Sequence, residues 1–269
     1  MAGRAFIAGK GGFAVNNREI YAAALEQSAL EFGCAPEAFL QDEPVITLSR
    51  AHPKARKYLP LPFKCDMVSY GSNVVAQVSE DVRDIVQAYL KRYEAVHCFE
   101  TPNLLVLEDA LRPHGLRVCF MAEYFLPDTE VLKPLDCPWE LRVLESFDGL
   151  YDGSWGNALS NHDPQRDVLG VGAYNGDELI GLAACSTDCD SMWQIGVDVR
   201  KAYRRQGVAS AMTSRLACEV LARGKVPFYC AAWSNVPSVR NAIRSGFRPA
   251  WVEVTAREEA FVRKMNGVD

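Results

Sequence analysis

Apolar and polar positions repeat along this chain with two periods, and the change from one to the other marks out its elements. Residues 18–32 (REIYAAALEQSALEF) place apolar side chains three and four apart in an Ala-rich background, which predicts a helix stopped by Gly33. β-Branched runs at 44–49 (PVITLS) and 73–78 (NVVAQV) predict short strands. Ser79 ahead of EDVRDIVQAYLKRY reads as an N-cap followed by acids in the first helical turn. LEDALRPHG (107–115) reads as a shorter helix with a Gly stop, and LRVCFMAEYFL after it as a buried strand. The stretch PDTEVLKPLDCP (127–138) then interrupts the pattern with Pro127, Pro134 and Pro138. Proline removes a donor and stiffens the backbone, so this stretch is expected to connect two parts, 1–130 and 137–269.

Beyond it the punctuation is regular. WELRVL (139–144) predicts a strand, and a polar, Gly-containing, partly helical stretch is expected to run to about residue 162. DVLGVGAY (167–174) and ELIGLAACS (178–186) flank Asn175-Gly176, a strong hairpin signal. SMWQIGVDV (191–199) is a further strand, followed by an amphipathic helix at 208–223 that Gly224 ends. A strand PFYCAAW (227–233), a helix from Pro237 to Ser245 and a strand RPAWVEVT (248–255) complete the unit. The order β-α-β-β-β-α-β-α-β mixes hairpins with crossovers. It predicts an α/β chain with a mixed, mostly antiparallel sheet flanked by helices, preceded by a smaller α/β domain.

Composition narrows the functions this frame can carry. The chain has 269 residues, 49% hydrophobic and 23% charged, enough for a sizeable core. Its net charge of −5 argues against a general nucleic-acid binder, which needs a basic face. The nine cysteines form no CxxC pair, and Cys185 and Cys189 have no His beside them, so no metal site is expected. Most sit in apolar runs as small hydrophobes, which points to reduced thiols and a cytoplasmic protein. No stretch approaches the roughly 20 apolar residues of a membrane span. His52, His97 and His114 are isolated in sequence. AGKGGF (8–13) lacks the spacing of a phosphate loop, so it is set aside.

Chemistry concentrates in VDVRKAYRRQGVASAMTSRLACEVLARG. A strand ends at Val199, the basic residues Arg200, Lys201, Arg204 and Arg205 follow, and Gln206-Gly207-Val208-Ala209-Ser210 opens a helix. The first N–H groups of a helix have no internal partner and lie at the positive end of its dipole. With a Gly and a small Ala there, phosphates can approach those groups closely. The bland alternative is a surface helix start with solvated charges.

The arrangement resembles the signature of the GNAT (Gcn5-related N-acetyltransferase) superfamily, [Q/R]xxGx[G/A], matched by Arg204, Gly207 and Ala209. WSNVPSVRNAIRSGFRPAW resembles the family's second pattern through Asn235, Ser238, Gly246 and Phe247. The resemblance covers about half the chain. It implies that amides from Gln206 to Ser210, with Arg204 and Arg205, hold the diphosphate of acetyl-CoA. It also implies that the backbone of Val197 and Val199, with Asn235 and Ser238, holds the pantetheine. More faintly, GCAPEAFL and YGSNVVA make the first half similar to bacterial two-domain members, as a degenerate duplicate or a substrate-recognition module.

Where relatives carry a Tyr as general acid this chain has Ala242, and where they carry a Glu as base it has Trp193. The candidates left are Asp198 as a base through water, or as a partner for a loop arginine or a helix-capping contact, and Ser234 as a hydroxyl donor. The loop GLYDGSWGNALSNHD (149–163) falls where the resemblance implies an acceptor site, and Asp152, His162 and Asp163 make it polar and somewhat acidic. Trp193 and Trp251 are expected in the core, with Trp155 weighed as core or pocket lining.

The function implied is acetyl transfer from acetyl-CoA to a primary amine of a small molecule by direct transfer. The alternatives are an acyl-CoA sensor without turnover and a protein-lysine or N-terminal acetyltransferase. The partner expected is a small-molecule amine, with no nucleic acid and no membrane. A homodimer is compatible with the sequence.

Overall fold

In the computed structural model, residues 15–160 and 163–268 are described. The glycine-rich 8–13 and His162 therefore lie outside the described residues. The first helix, α1 (Asn17–Phe32), begins at a capping box: the Asn16 side chain accepts from the Arg18 and Glu19 amides, and Glu19 reaches back to the Asn16 amide. It ends as expected at Gly33 in the left-handed conformation. Strand β1 (Val45–Leu48) follows, then a hairpin of β2 (Cys65–Ser69) and β3 (Val75–Val78). The pattern hid β2, because Asp66 and Ser69 break an otherwise apolar run that is buried throughout. Ser79 makes no side-chain cap. A single 3-10 turn over Glu80–Val82 precedes α2 (Arg83–Arg92).

Helix α3 spans Thr101–Leu111, starting six residues before the expected place with Pro102 in its first turn, where a missing N–H costs nothing. Strand β4 (Leu116–Pro127) leads into β5 (Glu140–Leu144), the hairpin of β6 (Asp167–Asn175) and β7 (Glu178–Ser186), and β8 (Met192–Val199). Then come α4 (Val208–Ala222), β9 (Val226–Ala231), α5 (Val236–Arg244), β10 (Phe247–Glu258) and α6 (Glu259–Met265).

These strands form one ten-stranded sheet in the order β1-β3-β2-β10-β4-β9-β8-β7-β6-β5. Among the described residues, only β1–β3 and β8–β9 pair in parallel. The last strand is built into the first half: β10 runs between β2 and β4, with Val252 opposite Ser69 and Trp251 opposite Tyr124. In turn β4 lies between β9 and β10. The sheet therefore continues across the proline-rich stretch.

The stretch from 145 to about 162 was expected to be partly helical, yet its described residues form turns and bends and no helix. Gly149 and Gly153 take positive φ there, and Ser146 and Asp152 bond to backbone amides two residues on, which competes with helix formation. The segment still packs. Phe147, Trp155, Ala158 and Leu159 cover Leu182 and Ala184 of β7, so Trp155 belongs to the core. Trp251 is buried too, and Trp193 is half-buried.

Candidate functional site

Strands β8 and β9 pair only from Met192–Val226 to Gln194–Phe228 and then separate. Beyond Gln194, β8 keeps β7 on one side, with Ala183 opposite Val197 and Gly181 opposite Val199, but has no strand on the other. A gap opens there, leading toward the N-terminus of α4. This is where the resemblance places the pantetheine arm.

The loop from β8 to α4 ends in an anion-binding shape. Arg205 is the one non-glycine residue at positive φ among the described residues (φ 63°), and Gly207, two positions on, has φ 83°. Two left-handed residues so close curl the chain into the concave form that gathers N–H groups. Gly207 is the N-cap of α4 and no side chain caps that end. A Cβ on Gly207 would meet nothing within 4 Å except Arg244 Nη2 at 3.8 Å. Among the described residues no hydrogen bond is made by the amides of Val208, Ala209 or Ser210. Arg204, though exposed, is braced by its Nε bond to the Val199 carbonyl (2.9 Å), and Gln206 by a bond to the Ala202 carbonyl. Arg244, which sequence reasoning passed over, adds charge from α5. Its signal was its spacing, one turn from Arg240 on the last helix before Gly246-Phe247.

Helix α5 is fastened to the start of α4 by buried polar bonds. Ser210 Oγ donates to Asn241 Oδ1 (3.1 Å), Asn241 Nδ2 donates to Thr213 Oγ1, and Ser245 Oγ bonds the Ser210 carbonyl. Asn235 caps α5, its side chain accepting from the Ser238 amide. Ser238 Oγ lies 2.7 Å from Tyr229 Oη. Ser234 is exposed and sits between Trp233 and Asn235 at the mouth of the gap. Tyr229 is a hydroxyl that the sequence reading did not single out. Burial pushes it up from the usual phenol range, and its bond to Ser238 opposes that rise.

Asp198 lies on β8 with both carboxylate oxygens engaged. They accept from the Asn157 amide (2.8 Å), Asn157 Nδ2 (2.6 Å) and the Ala158 amide (3.0 Å). Loop 156–158 is thereby clamped onto the strand. The approach needs glycine at 196, since a Cβ there would lie 1.9 Å from the Asn157 carbonyl oxygen. Asp198→Asn replaces one accepting oxygen by an NH2 that faces donors. We expect turnover to fall about tenfold or more through misplacement of this loop, with coenzyme affinity unchanged by calorimetry. Turnover equal to wild type would remove Asp198 from the site.

Beneath that loop lies a cavity of about 220 Å³. Its polar lining includes Tyr58, Ser160, Arg166, Ser186, Asp188 and Gln194. Asp188 is 2% exposed; burial pushes its carboxyl up, against the pull of Ser186 and Arg166. Of the acidic loop residues, Asp163 pairs with Arg166 at 3.1 Å, and Asp152 is exposed and caps Ser154. All nine cysteines are free, and no group of metal-ligating side chains occurs among the described residues. No helix among them is long and apolar enough to cross a membrane.

The family model described as GNAT acetyltransferase matches residues 153–250. Solved structures similar to this chain include a putative GNAT-family acetyltransferase from Novosphingobium aromaticivorans, at 19% identity and a TM-score of 0.43 over 53% of this chain and 66% of that one. A GCN5-related N-acetyltransferase-like protein from Streptococcus suis matches at 18% identity, TM-score 0.42, over 58% and 69%. A tandem GNAT protein from the clavulanic acid biosynthesis pathway matches at 12% identity, TM-score 0.45, over 92% and 97%. The chain thus spans about two thirds of the first two of these. No curated protein matches it.

Proposed function

The chain contains a GNAT acetyltransferase domain, and from that premise we propose that it transfers an acetyl group from acetyl-CoA directly to the primary amine of a small molecule. The observation that carries this reading is the uncapped start of α4 beside the gap between β8 and β9. Free amides, a left-handed Gly207 and the cations Arg204, Arg205 and Arg244 suit a diphosphate, and the gap suits a narrow arm running inward. Bound there, the coenzyme supplies an acetyl thioester whose carbonyl is open to attack by an amine.

The chain's own groups then have separable tasks. The amides from Gln206 to Ser210 and the arginines hold the diphosphate. The unpaired edge of β8 at Val197 and Val199 offers backbone donors to the pantetheine and to the thioester oxygen, where negative charge develops. Asn235 and Ser238 border the arm from α5. Ser234 and the Tyr229–Ser238 hydroxyl pair are the donors nearest the end of β9 for the departing thiolate. Asp198 holds the loop over the acceptor cavity, and an amine that arrives deprotonated needs no strong base.

Thiol release from acetyl-CoA against a panel of small amines tests the reading. We expect release that saturates with at least one amine and depends on the protein. Tight coenzyme binding with no release on any amine, peptide lysine included, would replace it with a sensor that binds acyl-CoA without turnover.

A further inference from the structure

The cavity beneath loop 156–160 has one wall that the family match does not cover. Tyr58 belongs to the segment between β1 and β2, far outside residues 153–250. Two contacts join that segment to the second half: the Lys57 amide donates to the Asp188 carbonyl (2.9 Å), and the buried Arg56 lies 3.4 Å from Glu253. Glu31 of α1 grips Arg56 from the first half through several bonds, the shortest 2.6 Å.

Arg56 Nη1 donates to the Tyr58 hydroxyl oxygen at 2.7 Å. A guanidinium only donates, so the phenolic proton cannot return that bond. Among the described residues it is the one hydrogen bond at this oxygen, so the Tyr58 O–H is free to donate, and Tyr58 is one of the residues that line the cavity. Arg166 is a second source. Its Nη1 donates to Asp188 (3.2 Å) and its Nε lies 3.1 Å from Asp163, while its Nη2 has no bond among the described residues. Gln194 is the complement. It gives Nε2 to Cys230 Sγ (3.0 Å), which leaves its side-chain oxygen to accept. The charges of the lining, Arg166 and Asp188, cancel.

We infer that the cavity takes a small acceptor bearing both an amine and a carboxylate, an amino-acid-like zwitterion, with Tyr58 and Arg166 donating to its carboxylate. The inference rests on the acetyltransferase reading above and narrows its acceptor. A net-neutral lining suits a zwitterion better than a polyamine, and a volume near 220 Å³ suits a small group. The amine end then faces Gln194 and Gly196, on the strand that borders the coenzyme gap. The first half of the chain is on this account part of the acceptor site.

The test compares L-amino acids with their decarboxylated amines, using the full chain, wild type and Tyr58→Phe. Thiol release is measured with acetyl-CoA, and saturation-transfer NMR with coenzyme A present. Wild type is expected to bind one or more amino acids and to prefer them over the matching amines by at least about tenfold in kcat/KM. Loss of one hydrogen bond to a charged group is worth roughly ten- to a hundredfold, so Tyr58→Phe is expected to raise KM by about that factor. Its kcat should stay within about twofold and its coenzyme affinity should not change. Equal or better use of the decarboxylated amines, an unmoved KM in Tyr58→Phe, or no amino-acid signal in the NMR overturns the inference. The first two outcomes leave the acetyltransferase reading intact. Amino-acid binding lost in Tyr58→Phe, with no thiol release anywhere, supports the pocket and overturns the acetyltransferase reading.

Discussion

Gly207→Glu is expected to weaken coenzyme A binding by at least about 100-fold while the protein stays folded. Two penalties combine. The residue sits at φ 83°, a conformation that costs a residue with a Cβ on the order of 1–2 kcal/mol. The new carboxylate stands at the uncapped end of α4, within reach of Arg244, and so occupies the place of the diphosphate with its own negative charge. Each 1.4 kcal/mol is a factor of about ten in affinity, and the charge conflict alone exceeds that where the site is partly shielded. Folding should survive, because a Cβ at 207 meets no backbone atom within 4 Å. Gly207→Ala separates the contributions: it carries the strain without the charge and should cost about tenfold. Calorimetric titration of both variants, with circular dichroism as the fold control, checks the pair. Unchanged affinity in Gly207→Glu would mean that the coenzyme, if it binds, does so elsewhere.

The second large effect is on stability. Arg56 is 2% exposed and is the single cation recorded among the buried carboxylates Glu31, Glu253 and Asp66. Burial pushes Asp66 and Glu253 well above or above the usual carboxylate range, while Arg56 opposes the shift in both. The guanidinium also lies over the Tyr58, Tyr124 and Trp251 rings, and its pair with Glu31 joins α1 to the segment that carries Tyr58. Removing one partner of a buried pair leaves an uncompensated charge, which costs about 3–5 kcal/mol. Arg56→Ala should therefore lower Tm by roughly 10 °C, since 1 kcal/mol shifts Tm by roughly 2–4 °C in a chain of this size class. Arg56→Lys should recover little, because an ammonium cannot bond both oxygens of Glu31 in one plane. Arg142→Ala is the control: its pair with Glu140 is exposed and screened by solvent, so its loss should leave Tm nearly unchanged. Equal melting of the Arg56 and Arg142 variants would show that the buried pair contributes no more than a surface one.

Much of the second half was legible because its signals are local. Asn175-Gly176 places a hairpin, Gly224 stops α4, and the spacing of Gly207 and Ala209 puts small residues where a helix leaves amides unpaired. What stayed hidden depends on partners distant in sequence. No local pattern says that β10 will lie between β2 and β4, since those pairings join residues well over a hundred positions apart, as Val252 with Ser69 and Trp251 with Tyr124. The strand β2 was missed because Asp66 and Ser69 look like surface residues until Gln77 and the Asn73 carbonyl are seen to bond them. Asp198 was readable as a base or as a partner for an arginine or a helix cap; among the described residues it binds neither an arginine nor a helix end, and the three bonds it accepts follow only once Asn157 and Ala158 are placed. Tyr58 carries no motif; its place at the cavity follows from Arg56, Glu31 and the Lys57–Asp188 bond.

The start of α4 is the place proposed for a coenzyme's phosphates. Backbone amide resonances followed during a titration with acetyl-CoA test this most directly. The largest shifts are expected at Gly207, Val208, Ala209 and Ser210, with smaller ones along Val197–Val199 and at Asn235 and Ser238. Amides at the start of α4 that do not move at millimolar coenzyme, or a response centred on another part of the chain, would contradict it.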